Sequence, residues 1–178
     1  LELNIEKLKI EEKRNNPRNL ASVLMNTGVV YALEEEYARA LEFYRRSDSV
    51  IQLHNLEDIR YNAALNTGDA WDRLNQNDSA FKYFSRSLEI ARAQDDGDYI
   101  GTSMTGLGHS YRKMGRYPES QTHYQEGIQY LQAAQDDEVI CEAALGLAKL
   151  FELTNRYDSA GHYANLSLAI AKKDGFLS

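Results

Sequence analysis

The chain of 178 residues carries one cysteine, Cys141, along with two prolines and one tryptophan. A single thiol excludes an internal disulfide and leaves a cysteine-built metal site without ligands. Two prolines, against an average share of about 5%, leave room for long uninterrupted helices. No apolar run approaches the roughly 20 residues a bilayer core demands, which excludes a membrane-spanning helix. Basic charge is short as well: 20 Lys and Arg face 27 Asp and Glu, a net charge of −7. Nucleic-acid affinity is dominated by phosphate neutralisation, so an acidic chain is poorly suited to it. Core-forming residues are not scarce. Hydrophobic residues make up 43% and charged residues 26%, close to an ordinary globular protein and unlike a disordered one. The chain opens Leu1-Glu2-Leu3 and is read as a piece of a longer protein. One cysteine is compatible with a cytoplasmic or a periplasmic setting.

What dominates the sequence is recurrence. Gly28, Gly68, Gly108 and Ala148 stand forty residues apart. The same step links Tyr31, Trp71, Tyr111 and Phe151, an aromatic column, and Ala40, Ala80, Ser120 and Ala160, a small one. It also links Tyr44, Phe84, Tyr124 and Ala164, and then Ser47, Ser87, Gly127 and Ser167. A fixed period of this length marks stacked supersecondary units, each too small to bury its apolar face alone. The small columns allow close backbone approach, and the aromatic columns fill the space between helices.

Each unit reads as two helices, because large apolar residues fall at helical spacing. The first helices are expected near 18–33, 58–73, 98–113 and 139–153, and the second near 37–53, 78–93, 118–134 and 158–172. Short polar turns join them: Glu34-Glu35-Glu36, Asn75-Gln76-Asn77, Gly115-Arg116 and Thr154-Asn155-Arg156. Asn77 is expected to cap a helix, and Pro118 suits a first turn. Asn15-Asn16-Pro17, Asn55-Leu56, Asp95-Asp96-Gly97 and Asp136-Asp137 punctuate the boundaries between units. Stepping back 80 residues from Ser87-Leu88-Glu89-Ile90 reaches Lys7-Leu8-Lys9-Ile10. Residues 1–14 therefore read as the second helix of a truncated repeat. Four full repeats follow at 18–54, 58–94, 98–134 and 138–174, one array over 1–178.

A glycine, an aromatic three residues later, a small residue at twelve, an aromatic at sixteen and a small residue at nineteen form a pattern that resembles the tetratricopeptide repeat. The likeness covers about residues 20–174. The period is longer than the family's usual one, and the usual proline at the repeat end is absent. The longer second helix resembles forty-residue variants from bacterial signalling proteins. The Asn-Asp-Ser-Ala and Arg-Tyr-Asp-Ser-Ala turns are similar to sensor regions beside histidine kinases or DNA-binding regulators. The resemblance implies an all-α fold, a right-handed α-solenoid of stacked antiparallel helix pairs. It also implies a concave groove lined by first helices that binds peptides or proteins, without cofactor or catalysis. A segment that only spaces or self-associates, through exposed end helices, is the alternative.

Transferring the family's groove positions nominates Met25, Asn26, Val29 and Leu33; Asn62, Asn66, Asp69 and Arg73; Thr105, His109, Arg112 and Lys113; and Leu145, Lys149 and Glu152. Asn26 and Asn66 have amides suited to holding a peptide backbone. Arg73, Arg112 and Lys113 suit a carboxylate, where charge-assisted bonds are strongest. The plainer reading of each is a solvated helix face. Family members that clamp chaperone tails place lysine, asparagine or arginine at positions matching Met25, Val29, Asn66, Thr102 and Gly106. Only Asn66 agrees, which argues against that function.

Other chemistry is weakly supported. Gly106-Leu107-Gly108 lacks a third glycine and lies within a helix, unlike a phosphate cradle. His54, His109, His123 and His162 are scattered, and Glu119 with His123 reads as a surface pair. Cys141 near a helix start has Glu142 beside it and no basic neighbour, so it reads as an inert, partly buried thiol. Tyr37, Tyr117 and Tyr157 are expected to pack against their turns.

Overall fold

Helix ends fall at fixed places along this chain. In the computed structural model, which describes residues 2–14 and 16–173, a left-handed residue follows a helix every twenty positions: Glu35, Asn55, Asn75, Asp95, Gly115, Gln135 and Asn155, with φ between 54° and 75°. Asn, Asp and Gly tolerate this conformation best. Glu35 and Gln135 adopt it without that advantage. The stop is reinforced by a backbone bond at all seven sites. The N–H of the following residue donates to the carbonyl five residues back, as in Glu36 to Tyr31 at 2.9 Å and Arg156 to Phe151 at 2.8 Å. This six-to-one closure satisfies carbonyls that a helix end leaves open.

The described residues form nine α-helices: α1 (Glu2–Arg14), α2 (Pro17–Leu33), α3 (Tyr37–His54), α4 (Arg60–Arg73), α5 (Asn77–Gln94), α6 (Gly97–Lys113), α7 (Tyr117–Ala134), α8 (Asp137–Leu153) and α9 (Tyr157–Lys173). No strand occurs among them. Leu1, Asn15 and Asp174, which the sequence reading placed in the first segment, a boundary and the last repeat, lie outside the described residues.

First helices start by a second rule. Asn16, Asp96 and Asp136 each accept a bond from the backbone N–H three residues on, at 3.1 Å, and so cap α2, α6 and α8. They share one column of the forty-residue repeat. Its fourth member is Leu56, which has no capping oxygen, and there a short 3-10 turn, Glu57–Ile59, precedes α4. Asn77 does not cap. It is the first residue of α5, and its side-chain oxygen is buried without a hydrogen bond. Pro17 and Pro118 sit in first turns, where a missing N–H removes no helical bond.

The chain divides into two units, Leu1–Ser87 and Leu88–Ser178, with the division inside α5. In the first unit α2 packs on α3, α3 on α4, and α1 on α2. In the second α6 packs on α7, α7 on α8, and α8 on α9. Three-residue turns inside each pair make its helices antiparallel.

Within a pair the helices meet at two recurring points. At one, glycine meets an aromatic ring: a Cβ on Gly28 would lie 2.5 Å from the Tyr44 ring, on Gly68 2.8 Å from Phe84, and on Gly108 2.7 Å from Tyr124. Tyr44, Phe84 and Tyr124 are buried. The small column adds to the same contact, since the Ala40 carbonyl comes within 3.1 Å of that Gly28 position. Ser120 donates to the Gly108 carbonyl at 2.8 Å. At the second point Ser47 donates to the Ala21 carbonyl at 2.8 Å, Gly127 lies against Gly101, and Ser167 lies against Cys141. The first aromatic column lies within a pair: Tyr31 stacks on Phe43 at 5.3 Å and Phe151 on Tyr163 at 5.5 Å.

Candidate functional site

A first helix that buries one side must expose another, and α4 shows how the sequence divides the two. Tyr61, Ala63, Ala64, Thr67, Gly68 and Ala70 are buried. Asn62, Asn66, Asp69 and Arg73, spaced by four, three and four residues, run along one remaining face. The amides are half-buried, and Asp69 and Arg73 are exposed. Asn26 on α2 is exposed too, and Leu33 at the end of α2 is 79% exposed.

In the second unit the nominated residues lie on α6 and α8, which touch. His109, Arg112 and Lys113 are half-buried on α6, and Lys149 is exposed on α8. His109 Nε2 lies 3.2 Å from a Glu142 carboxylate oxygen on α8. The same ring stands edge-on to Tyr124, with centroids 5.3 Å apart.

The sequence reading noted Glu142 only as a neighbour of Cys141 and did not nominate it. Its signal was separation: side chains of successive repeats meet when they stand about one period apart. Arg18 bonds Asp58 at 2.6 Å and Arg86 bonds Asp48 at 3.1 Å, at separations of 40 and 38 residues.

Two nominated positions belong to the interior. Met25 is buried in a core with Ala21, Tyr44 and Ala63. Thr105 is buried and donates to the Gly101 carbonyl at 3.0 Å. The glycines at 101 and 127 bring α6 and α7 so close that a Cβ on Gly127 would lie 3.4 Å from the Thr105 hydroxyl. The surface pair of Glu119 and His123 is replaced as well. Glu119 bonds Arg116 at 2.8 Å, which holds its carboxyl below the usual range. His123 Nδ1 faces the Glu119 carbonyl oxygen at 2.9 Å, and its ring packs on Tyr111. Tyr157 meets its turn through a hydrogen bond rather than by burial: it is 66% exposed and donates to Asn155 at 2.9 Å. Cys141 is half-buried, with its Sγ 2.8 Å from the Ser167 hydroxyl.

Two further groups are electrostatically displaced. Burial, and then the Asp69 charge, push the Tyr44 phenol up to about 12. Burial, then the neighbouring Asp136, and then Asp96, hold Asp98 above the ordinary carboxylate range. Among the described residues no three His, Cys, Asp or Glu side chains converge as metal ligands, and no helix is long and apolar enough to cross a membrane.

A tetratricopeptide repeat profile matches residues 63–133 and again 99–173, together more than half of the chain. The chain belongs to the tetratricopeptide repeat family. That fold is generally a protein-interaction scaffold. Solved structures share the architecture at low identity. Aspartyl phosphate phosphatase F from Bacillus subtilis superposes with a TM-score of 0.80 at 14% identity, over 90% of this chain and 42% of that one. BtubC from P. vanneervenii gives 0.77 at 15%, over 92% and 67%. NprR in complex with its cognate peptide NprX gives 0.78 at 18%, over 94% and 49%. The tetratricopeptide chain thus spans about half the length of two of these relatives. Comparison with curated protein sequences finds no significant match.

Proposed function

We propose that this tetratricopeptide array is a peptide- or protein-binding scaffold, a region of a larger bacterial regulatory protein. Its repeats are assigned to residues 18–54, 58–94, 98–134 and 138–174, with a half repeat at 1–14. The binding surface is the first-helix face: Asn26, Asn62, Asn66, Asp69 and Arg73 in the first unit, and His109, Arg112, Lys113 and Lys149 in the second. The observation that carries the reading is the α4 stripe, where two half-buried amides lead to an exposed acid and an exposed arginine. Amides offer a donor and an acceptor to a backbone, and Arg73 offers a fork to a carboxylate. A neighbour of the same fold, NprR, is seen holding a peptide.

Screening an immobilised peptide library with the wild-type chain, then measuring hits by calorimetry, tests this. Charge reversal of Arg73 together with Asn66→Ala should weaken a bound peptide by roughly tenfold or more, since a charge-assisted bond contributes about 1.5–3 kcal/mol. Unchanged affinity for every hit would refute the first-helix assignment.

A further inference from the structure

One position of the repeat holds a cleft with different chemistry in each unit. In the second unit it lies between α7 and α9, lined in part by Gln121, Gln125, Phe151 and Tyr163. Its polar groups satisfy one another: Gln125 donates to the Tyr163 hydroxyl at 3.3 Å, and Arg156 donates to Gln121 at 3.1 Å. Two repeats earlier the places of Gln121, Gln125, Arg156 and Tyr163 are taken by Leu41, Arg45, Gln76 and Tyr83. Leucine at 41 can accept nothing from Gln76, so that bridge is lost.

The cavity there, between α3, α4 and α5, is about 380 Å³, the same volume as its second-unit counterpart, but is lined by Leu41, Tyr44, Trp71, Leu74, Tyr83 and Arg45. Thr67 forms part of its lining where the second unit has Leu147, a smaller side chain in a larger one's place. Among the described residues, no hydrogen bond or ion pair engages the Arg45 guanidinium, the Trp71 indole N–H or the Tyr83 hydroxyl. The acid Asp48 at the same cleft is already bonded to Arg86 at 3.1 Å and to Gln52 at 2.6 Å. Exposed Glu42 adds one negative charge to the lining. An apolar, aromatic-lined cavity of this size with a few polar groups is the form small-molecule sites take.

We infer that this cleft binds a small carboxylate with an aromatic or aliphatic body, its apolar part between Trp71, Leu41 and Leu74 and its carboxylate on Arg45. The inference does not rest on the first-helix surface, from which the cleft's α3 and α5 residues are separate. Trp71 is the chain's one tryptophan, so its emission reports this cleft alone.

N-acetylphenylalanine, its amide, and a pentapeptide ending in phenylalanine are titrated while Trp71 emission is followed. The acid should produce a saturable change, and the amide should bind roughly tenfold more weakly. Arg45→Ala should lose about the same factor, Leu41→Gln should abolish the signal, and Glu42→Gln should tighten binding by removing a like charge. Helical circular dichroism checks that each variant is folded. A tighter response to the pentapeptide assigns the carboxylate to a chain terminus, and a tighter response to the free acid assigns it to a small molecule. No saturable change in the folded wild type, or equal affinity for acid and amide with no effect of Arg45→Ala, overturns the inference.

Discussion

Replacing Gly146 with alanine isolates the packing that spaces these helices. A Cβ there would lie 2.4 Å from Tyr124 Cζ and 2.6 Å from its hydroxyl. Tyr124 has nowhere to go. It is fully buried, and its other side is pressed on Gly108, where a Cβ would lie 2.7 Å from the ring. Alanine improves a helix interior by about 1 kcal/mol over glycine, whereas overpacking a core costs roughly 1–3 kcal/mol. The net expectation for Gly146→Ala is a loss between about zero and 2 kcal/mol. Gly161 on α9 is the control, since it is exposed and a Cβ there would meet nothing within 4 Å. Gly161→Ala should stabilise by about 0.5–1 kcal/mol. At roughly 2–4 °C per kcal/mol for a chain this size, the two variants should melt several degrees apart. Thermal unfolding followed by circular dichroism reads the difference. Tyr124→Leu removes the ring tip, so adding Gly146→Ala to that background should be neutral or favourable, which a double-mutant cycle detects. If Gly146→Ala raises the melting temperature as much as Gly161→Ala does, the clash reasoning is wrong.

Four more outcomes follow from the same contacts. Gly68→Leu, driven into the buried Phe84 ring, should destabilise by roughly 1–3 kcal/mol, while Asn66→Ala should cost under about 0.5 kcal/mol; equal urea midpoints would erase the line between packing column and surface. Asp96→Ala should weaken the start of α6 by about 1 kcal/mol, seen as faster amide exchange over its first turn. Asp98 binds its proton more tightly when folded, so its contribution is fully present below the ordinary carboxylate range and is lost as pH rises through its raised value. Asp98→Asn should therefore stabilise at neutral pH, with the gain vanishing in acid; a gain independent of pH would contradict this. Tyr44 follows the same sign in alkali: stability present below the usual phenol value near 10 is lost as pH rises towards about 12. Ultraviolet titration should show Tyr44 ionising among the last tyrosines, and Tyr44→Phe should remove that late step.

The fold was legible because spacing survives in sequence. Gly28, Gly68 and Gly108 and their aromatic partners stand at a constant interval, and the contacts between them recur in space. The second small column was equally readable, since Ser47 and Ser167 meet Ala21 and Cys141 as equivalent pairs. What escaped is what one repeat does differently from the next. Met25 and Thr105 share a column with the exposed Leu145, and no sequence rule says that glycines at 101 and 127 draw α6 and α7 together over Thr105. Asn26 and Asn66 share a column with Gly106 and Gly146, and at 146 that place admits the tip of Tyr124. Asn77 has the composition of a cap, yet the chain stops α4 at a left-handed Asn75 and starts α5 one residue earlier than an Asn77 cap requires. Those departures depend on partners in three dimensions, which a linear pattern does not record.

The left-handed stops divide this protein into lengths of twenty residues, each a helix and its turn. One residue added inside a helix would rotate everything after it by about 100° and swing its buried stripe out of the interior. The chain can therefore lengthen harmlessly only at the turns, or by a whole forty-residue pair that restores direction as well as phase. Growth in such an architecture is quantised, and a duplicated pair should be accepted where a duplicated half turn is not.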